Sequence, residues 1–563
     1  MTGWTYPNDG VPSAEFPVYS RGNVGEAFPN VISPMSGSLM LEASGRSQVR
    51  FFLATGVLSE RQVRDPRNVL FPQFGGYLYA NVSMARIAAV RAPGMSMDDI
   101  DAQYSGVGVL PPYTPRPGDR SLVASLRLAR FASRGLRQGD ASRARAAQRE
   151  VDEWVASLGD VAAATDDELL ARARRASWWF DRLNAEMMTV TLHAGSTRVL
   201  IERMAASAGE PDAANAITSG LGEVASAGPA LALWDLGRRV RDSSALAAHF
   251  DAGDGDLEGR LRRDPVVRDF VVAFDAFVAE FGFHGVDELE LSAPKWGTDP
   301  GDALRIVERL RHAPDGRDPR LAARTLGEQR LVATERVAAK LRRPLRRMFA
   351  LAVRNAAVYA REREATKAAL VRALFPSRLA LDELGRRSGL DAGIFLLVDA
   401  ELERALADPA EFGSVIEQRA EVRRALQDRQ PPFWFEGTVP DPSSWPLRSS
   451  SVAAGSVARL EGLGVSSGVV SGRARVVHDP NDAGGLEPDE ILVAPQTDPA
   501  WTPLFLAAAG VVVEYGAVMS HAAIVARELG IPAVVGVGGA TTDIATGDRL
   551  TIDGTSGVVT VQR

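Results

Sequence analysis

Hydrophobic and polar positions fall into three textures along the chain. Over residues 1 to about 120, glycine, proline and aromatic residues break any period, as in YSRGNVGEAFPNVISPMSGS (19–38) and FPQFGGYLYA (71–80). These turn formers predict irregular chain and short strands wrapping a pocket, with helix only around 46–59 and after Asn81. From about 121 to 429, apolar residues recur every three to four positions in segments rich in Ala, Leu, Arg and Glu, predicting helices over 142–157, 166–193 and 331–375. One polar loop, FGFHGVDELELSAPKWGTD (281–299), interrupts this helical body.

PPFWFEGTVPDPSSWPLRSSSVAAGS (431–456) has linker composition, and the texture changes again beyond it. Strands are expected at 465–477, 490–494, 510–514 and 532–537, short helices at 503–509 and 520–529, and a closing hairpin from 549–552 and 557–561. The chain is therefore expected to be multidomain. A mainly α-helical domain with an irregular N-terminal part spans 1–435, a flexible linker 436–460, and a small α/β domain 461–563.

Composition narrows the chemistry. Of 563 residues none is cysteine, which removes disulfides, thiolate metal sites and thiol nucleophiles. With 45% hydrophobic and 24% charged residues the chain is neither disordered nor membrane-like. Its start carries no basic region followed by an apolar run, and no apolar stretch reaches the roughly 18 residues that span a bilayer. A cytoplasmic location and no membrane partner are expected. The net charge is −7, with arginines interleaved among acids, so no nucleic-acid surface is expected.

The segment that carries chemistry is GVVVEYGAVMSHAAIVARELGIPAVVG (510–536). A buried strand runs into a turn, Ser520 is a good N-cap, and a helix from His521 ends at Gly530 and Pro532. His521 is thereby set in the first helical turn, where free N–H groups and the macrodipole suit a phosphoryl dianion. A neutral imidazole is a competent nucleophile near pH 7. The Ser520 hydroxyl, and Arg527 further along the helix, are candidate phosphoryl-stabilising donors.

Ser520 to Ile524, Ala526 to Glu528 and Gly530 to Ala533 closely resemble the signature of the phosphohistidine swivelling domain of phosphoenolpyruvate-utilising enzymes. GVVSGRA (468–474), LVAPQTD (492–498) and GDRLTIDGTSG (547–557) extend the likeness across the domain. Ala517 departs from it, since the family usually has a second glycine after Gly516. The resemblance implies that His521 is the phosphorylated, catalytic residue. It also implies that 1–435 is a substrate-binding domain, because NVGEAFPNVISPMS and 281–299 resemble segments of that domain in rifampin phosphotransferase-like proteins. REATKAALVR (363–372) resembles the same domain's R-E-x-x-K helix. Arg363 and Lys367, one turn apart, are then a cationic clamp for the phosphoryl group; a solvated helix face is the alternative.

His284, between two glycines with Glu288 close behind, is a candidate general base or acceptor-binding residue, or else the source of a loop-stabilising hydrogen bond. His193 reads as a core histidine; His249, His312 and His478 carry no motif. Trp4, Phe28, Phe71, Phe74, Tyr77 and Tyr79 could line an acceptor pocket or form core. No GxxxxGK[ST] loop and no ATP-grasp-like segment is present, and no metal ligands are expected. The resemblance therefore implies a separate ATP-grasp subunit that binds ATP and Mg²⁺. It implies an arrangement like phenylphosphate synthase and the hydroxyacetophenone (acetovanillone) kinases, ATP going to AMP and phosphate. The expected acceptor is a small hydroxylated, phenolic or aromatic compound. The rivals are a rifamycin-like antibiotic phosphotransferase component and a non-catalytic phosphocarrier.

Overall fold

The computed structural model describes residues 6–562 except 23, 93–95, 105–109, 222–224, 254, 449–458, 479–485, 488, 498–500 and 518–519. The chain forms two compact units, the first from Met1–Pro211, Leu289–Ser292 and Val337–Ser451, the second from Asp212–Glu288, Ala293–Arg336 and Val452–Arg563.

Two long helices, Asp166–Ser207 and Arg343–Ser388, pack together in the first unit. The former starts on a capping box between Thr165 and Glu168, with acids filling its first turn toward the positive end of the dipole. The helix expected over 331–375 is two helices, Pro319–Lys340 and Arg343–Ser388. Pro344 is the reason: it has no N–H for the Lys340 carbonyl, and its fixed φ suits a first turn. Against the Asp166–Ser207 helix lies Pro34–Thr55, which begins twelve residues before the expected 46. Its first half is rich in Ser and Gly, poor helix formers. Side-chain bonds such as Asn184 Nδ2 to Ser47 Oγ, 2.7 Å, and packing on the long helix hold what propensity does not.

A small antiparallel sheet sets Val18–Ser20 between Ala80–Asn81 and Trp434–Glu436. Beneath it Tyr6, Tyr19, Phe74, Tyr77, Tyr79, Phe435 and Trp445 form one buried cluster. Phe74, Tyr77 and Tyr79 are thus core rather than pocket lining; Phe28 is also buried, Phe71 half-buried, and Trp4 lies outside the described residues. Of the segment expected to be a flexible linker, 436–448 stays with this unit: Trp445 is buried, and Arg448 N–H donates to the Asp428 carbonyl. Residues 449–458 lie outside the described residues.

The second unit joins two layers. Helices Gly228–Arg241, Arg268–Phe281 and Pro300–His312 surround Leu233, Trp234, Phe270, Phe274, Phe277, Trp296 and Leu310. The α/β domain follows. Its eight-stranded sheet runs, edge to edge, Arg459–Glu461, Val558–Gln562, Arg549–Asp553, Val469–Val476, Glu490–Ala494, Gly510–Val513, Ala533–Val535, Leu463–Ser466. The two edge strands are separated in sequence by Gly462 alone. Four central strands are parallel. Because side chains alternate, Val511 and Val513 face helices Thr502–Ala507 and His521–Leu529, while Val512 faces Ala540 and Ile544.

Candidate active site

Parallel pairing of Gly510–Val513 with Glu490–Ala494 puts the loops after both strands side by side at the sheet's carboxyl end. One loop delivers His521 to the start of its helix, and the other delivers Thr497 and Thr502. Open parallel sheets bind ligands at this end. Ser520 is the N-cap, its extended backbone turning the chain and its Oγ accepting the Ala523 N–H at 3.2 Å. Gly530, in the left-handed region, closes the helix.

The half-buried His521 ring has a hydroxyl at each nitrogen: Thr497 Oγ1 lies 3.2 Å from Nδ1 and Thr502 Oγ1 3.4 Å from Nε2. Phe505 meets the ring edge-on at 6.3 Å between centroids. A hydroxyl can donate or accept, so each imidazole tautomer finds a partner at both nitrogens. When one nitrogen gives its lone pair to an electrophile, the other must carry a proton, and a hydroxyl stands ready to accept it. Neither threonine was singled out from sequence, although Thr497 lies in the LVAPQTD match.

The remaining expected site residues are distributed as follows. Arg527 sits two turns along the histidine helix, buried, with Nε donating to the Val465 carbonyl at 2.7 Å. His284 and Glu288 are brought together: His284 Nδ1 lies 2.5 Å from Glu288 Oε1, both buried. Phe283 lies tilted against the His284 ring, 4.2 Å between centroids, Trp296 walls it, and Lys295 Nζ ties the loop by donating to the Asp287 carbonyl at 2.8 Å. In the first unit, Arg363 pairs with Glu364 at 2.8 Å, and Lys367 lies one turn on, half-buried. Glu290 is structural there, accepting from the Ser33 and Ser36 hydroxyls at the start of the Pro34–Thr55 helix. His193 is a core residue, stacked on Phe131 and tilted against Tyr359. Burial pushes its pKa down to about 4. The turn 515–519 and LVAPQTD each run partly outside the described residues, at 518–519 and 498.

Among the described residues no group of three or more His, Asp or Glu side chains is placed to hold a metal ion. They also offer no glycine-rich phosphate loop ahead of a helix. These residues do not fit ATP·Mg²⁺. No helix is long and apolar enough to cross a membrane.

Comparison with known proteins agrees with this geometry. Residues 486–557 match the mobile domain of PEP-utilising enzymes, and residues 184–364 match the fourth domain of rifampicin phosphotransferase. The prodigiosin synthesizing transferase of Serratia marcescens is 36% identical over 350 residues, 59% of this chain and 38% of that protein. A rifampicin phosphotransferase from a Streptomyces species is 33% identical over 401 residues, 67% of this chain and 44% of its own length. The one from Bacillus cereus is 28% identical over 403 residues, 64% and 42% respectively. The chain thus spans about two-fifths of the length of the curated relatives it matches. A helical body followed by a domain that presents a histidine between two loops of a parallel sheet is what this chain shares with the rifampicin phosphotransferases, and its residues 486–557 are a mobile domain of the phosphoenolpyruvate-utilising type.

Proposed function

We propose that the chain is the acceptor-binding and phosphohistidine component of an ATP-dependent phosphotransferase. His521 takes a phosphoryl group from a separate ATP-grasp subunit, which holds ATP and Mg²⁺ and leaves AMP and phosphate. It then passes the group to the hydroxyl of a small organic acceptor. The observation that carries this reading is the imidazole at a helix N-terminus with a threonine hydroxyl at each ring nitrogen, inside the stretch that matches the mobile domain.

Chemically, the closer Thr497 contact favours Nδ1–H donating to that hydroxyl, which leaves the Nε2 lone pair as nucleophile. Attack on the β-phosphorus of ATP forms a P–N bond as the P–O bond to AMP breaks, and one water hydrolyses the γ-phosphoryl group off as phosphate. In the second half-reaction the acceptor oxygen attacks phosphorus, the P–N bond breaks, and the hydroxyl proton passes to a base. His284, oriented by Glu288, is the candidate base, and Arg363 and Lys367 are the candidate cations for the phosphoryl group. Phosphoryl transfer depends on positioning and charge neutralisation more than on covalent help, which suits such a division of labour. We take the acceptor to be a phenolic compound of the hydroxyacetophenone or acetovanillone type. The rifampicin phosphotransferase relatives favour a second acceptor class, a rifamycin-like hydroxylated macrocycle.

The test incubates the chain with ATP, Mg²⁺ and a co-encoded ATP-grasp protein, followed by phenols and rifamycins in parallel. Phosphohistidine at 521 and a phosphorylated acceptor are expected, both lost in His521→Asn. Turnover that survives this substitution removes the reading, and phosphate passing only to another protein's histidine makes the chain a phosphocarrier instead.

A further inference from the structure

Helix Leu122–Gln138, in the first unit, buries Ala124, Leu128 and Gly135, and on that side the Tyr359 hydroxyl holds it by donating to the Gly135 carbonyl at 2.8 Å. Its opposite side carries Arg127, Arg130, Arg134 and Arg137, all exposed. Alternating steps of three and four residues put them in one row about 15 Å long. The helix contains no acid, and none of the four has a carboxylate partner among the described residues. Surface arginines elsewhere are paired: Arg262 with Glu258 and Asp275, Arg263 with Asp256, Arg386 with Glu383. Like charges one turn apart weaken a helix, so this row costs stability that no internal anion restores.

Apolar side chains accompany the row. Leu122 is 84% exposed, Leu126 71% and Val123 61%. Val123 and Arg127 also line a cavity of about 730 Å³, together with Phe16, Leu53, Leu58 and Ile87. Carboxylates of Glu15, Glu60, Asp119 and Glu436 line the same cavity among its arginines, so the unbalanced positive charge lies along the helix and not in the cavity.

We propose that this face is a docking surface for an acidic protein, and that the protein is the ATP-grasp donor subunit. The identity of the partner rests on the reading above. Charge fixes its chemistry: carboxylates spaced along a strip meet the four guanidinium groups, and an apolar side chain of the partner enters the cavity while Leu122 and Leu126 are covered. Arginines combined with a few apolar anchors are what protein interfaces favour. A bilayer surface is too flat to fill the cavity, and a nucleic-acid backbone would leave three large aliphatic side chains in water. The charges steer encounter and make it salt-sensitive. A donor held on this helix meets His521 as an intramolecular partner, at an effective concentration that no longer depends on how much free donor is present.

The test measures binding of the co-encoded ATP-grasp protein to the full chain by isothermal titration, at about 50 and about 300 mM salt. The parent should bind more tightly at the lower salt. Arg127→Gln/Arg130→Gln/Arg134→Gln/Arg137→Gln should weaken that binding roughly tenfold, a factor of about two for each charge, and remove most of the salt dependence. Val123→Ser with Leu126→Ser should weaken binding at both salts alike. Glutamine keeps helix propensity, and thermal unfolding confirms that both variants are folded. No binding by the parent, or equal binding by parent and variants, overturns the proposal. It is also overturned if the quadruple variant loses attachment to phosphatidylglycerol vesicles, or to a second copy of the chain, while binding of the ATP-grasp protein is unmoved. Phosphohistidine at 521 is scored in the same samples with ATP and Mg²⁺. Arginine-dependent binding without phosphorylation would defeat the proposed function and leave the docking surface standing, and phosphorylation with binding indifferent to the arginines would do the reverse.

Discussion

Thr497→Val is the sharpest probe of the histidine site. Valine reproduces the shape of threonine without the hydroxyl, and Thr497 is 1% exposed, so the isostere fits without leaving a space. What is lost is the 3.2 Å partner of His521 Nδ1. Phosphorylation on Nε2 obliges Nδ1 to keep its proton, and removing the acceptor of a half-buried donor costs about 1–3 kcal/mol. The extent of loading by phosphoramidate should therefore fall roughly 5- to 150-fold. Thr502→Val loses a longer contact of 3.4 Å and should cost no more than about threefold. Phosphorus NMR reports both the amount of phosphohistidine and which nitrogen carries it, with Nε2 expected. Thermal unfolding of each variant checks that the domain is intact. The reasoning fails if Thr497→Val loads like the parent, if Thr502→Val is the more damaging change, or if the phosphoryl group sits on Nδ1.

Other outcomes follow from particular contacts. Ser520→Ala removes the cap of the histidine helix and should lower stability by about 1 kcal/mol in urea denaturation, with loading reduced as the first turn frays. His193 is neutral in the fold, with its pKa down from 6.5 to about 4, so stability is fully present above pH 6.5 and is lost as pH falls toward 4. Denaturation at pH 7.5 and 4.5 should differ by about 2.5 kcal/mol from this group, and His193→Phe should flatten that share. Arg363→Met with Lys367→Met should leave loading of His521 untouched while slowing transfer to the acceptor at least tenfold; equal transfer rates would make that helix face structural only.

Different parts of the fold were legible to different degrees, for physical reasons. The helix Ser142–Ser157 is where its apolar spacing puts it, because Ala144, Ala147 and Val151 form one buried stripe. The strand Gly510–Val513 and the helix after it declare themselves through a valine run, an N-cap and a left-handed glycine, all of them local signals. The start of Pro34–Thr55 was hidden because its Ser and Gly residues are stabilised by a neighbouring helix and not by themselves. Aromatic residues in a turn-rich segment have the same appearance whether they line a cavity or close a core, and Tyr77 and Tyr79 do the latter. Thr497 and Thr502, 24 and 19 positions before His521, become its neighbours only through the strand register. That information lies in no local pattern. The pairing of His284 with Glu288 is the intermediate case: four residues apart in a glycine-flanked loop, visible as a possibility and resolved by the fold.

The way the sheet ends bears on travel. A single short stretch of chain, turning at Gly462, covers the rims on both sides, pairing with Val558–Gln562 on one and Ala533–Val535 on the other. Hydrogen-bonding backbone is thus shielded at both margins by strands only a few residues long. A body that repeatedly leaves its resting surface would otherwise offer a template for strand addition by another copy. With both margins covered in this way, the sheet offers another copy no long unpaired edge strand to add to.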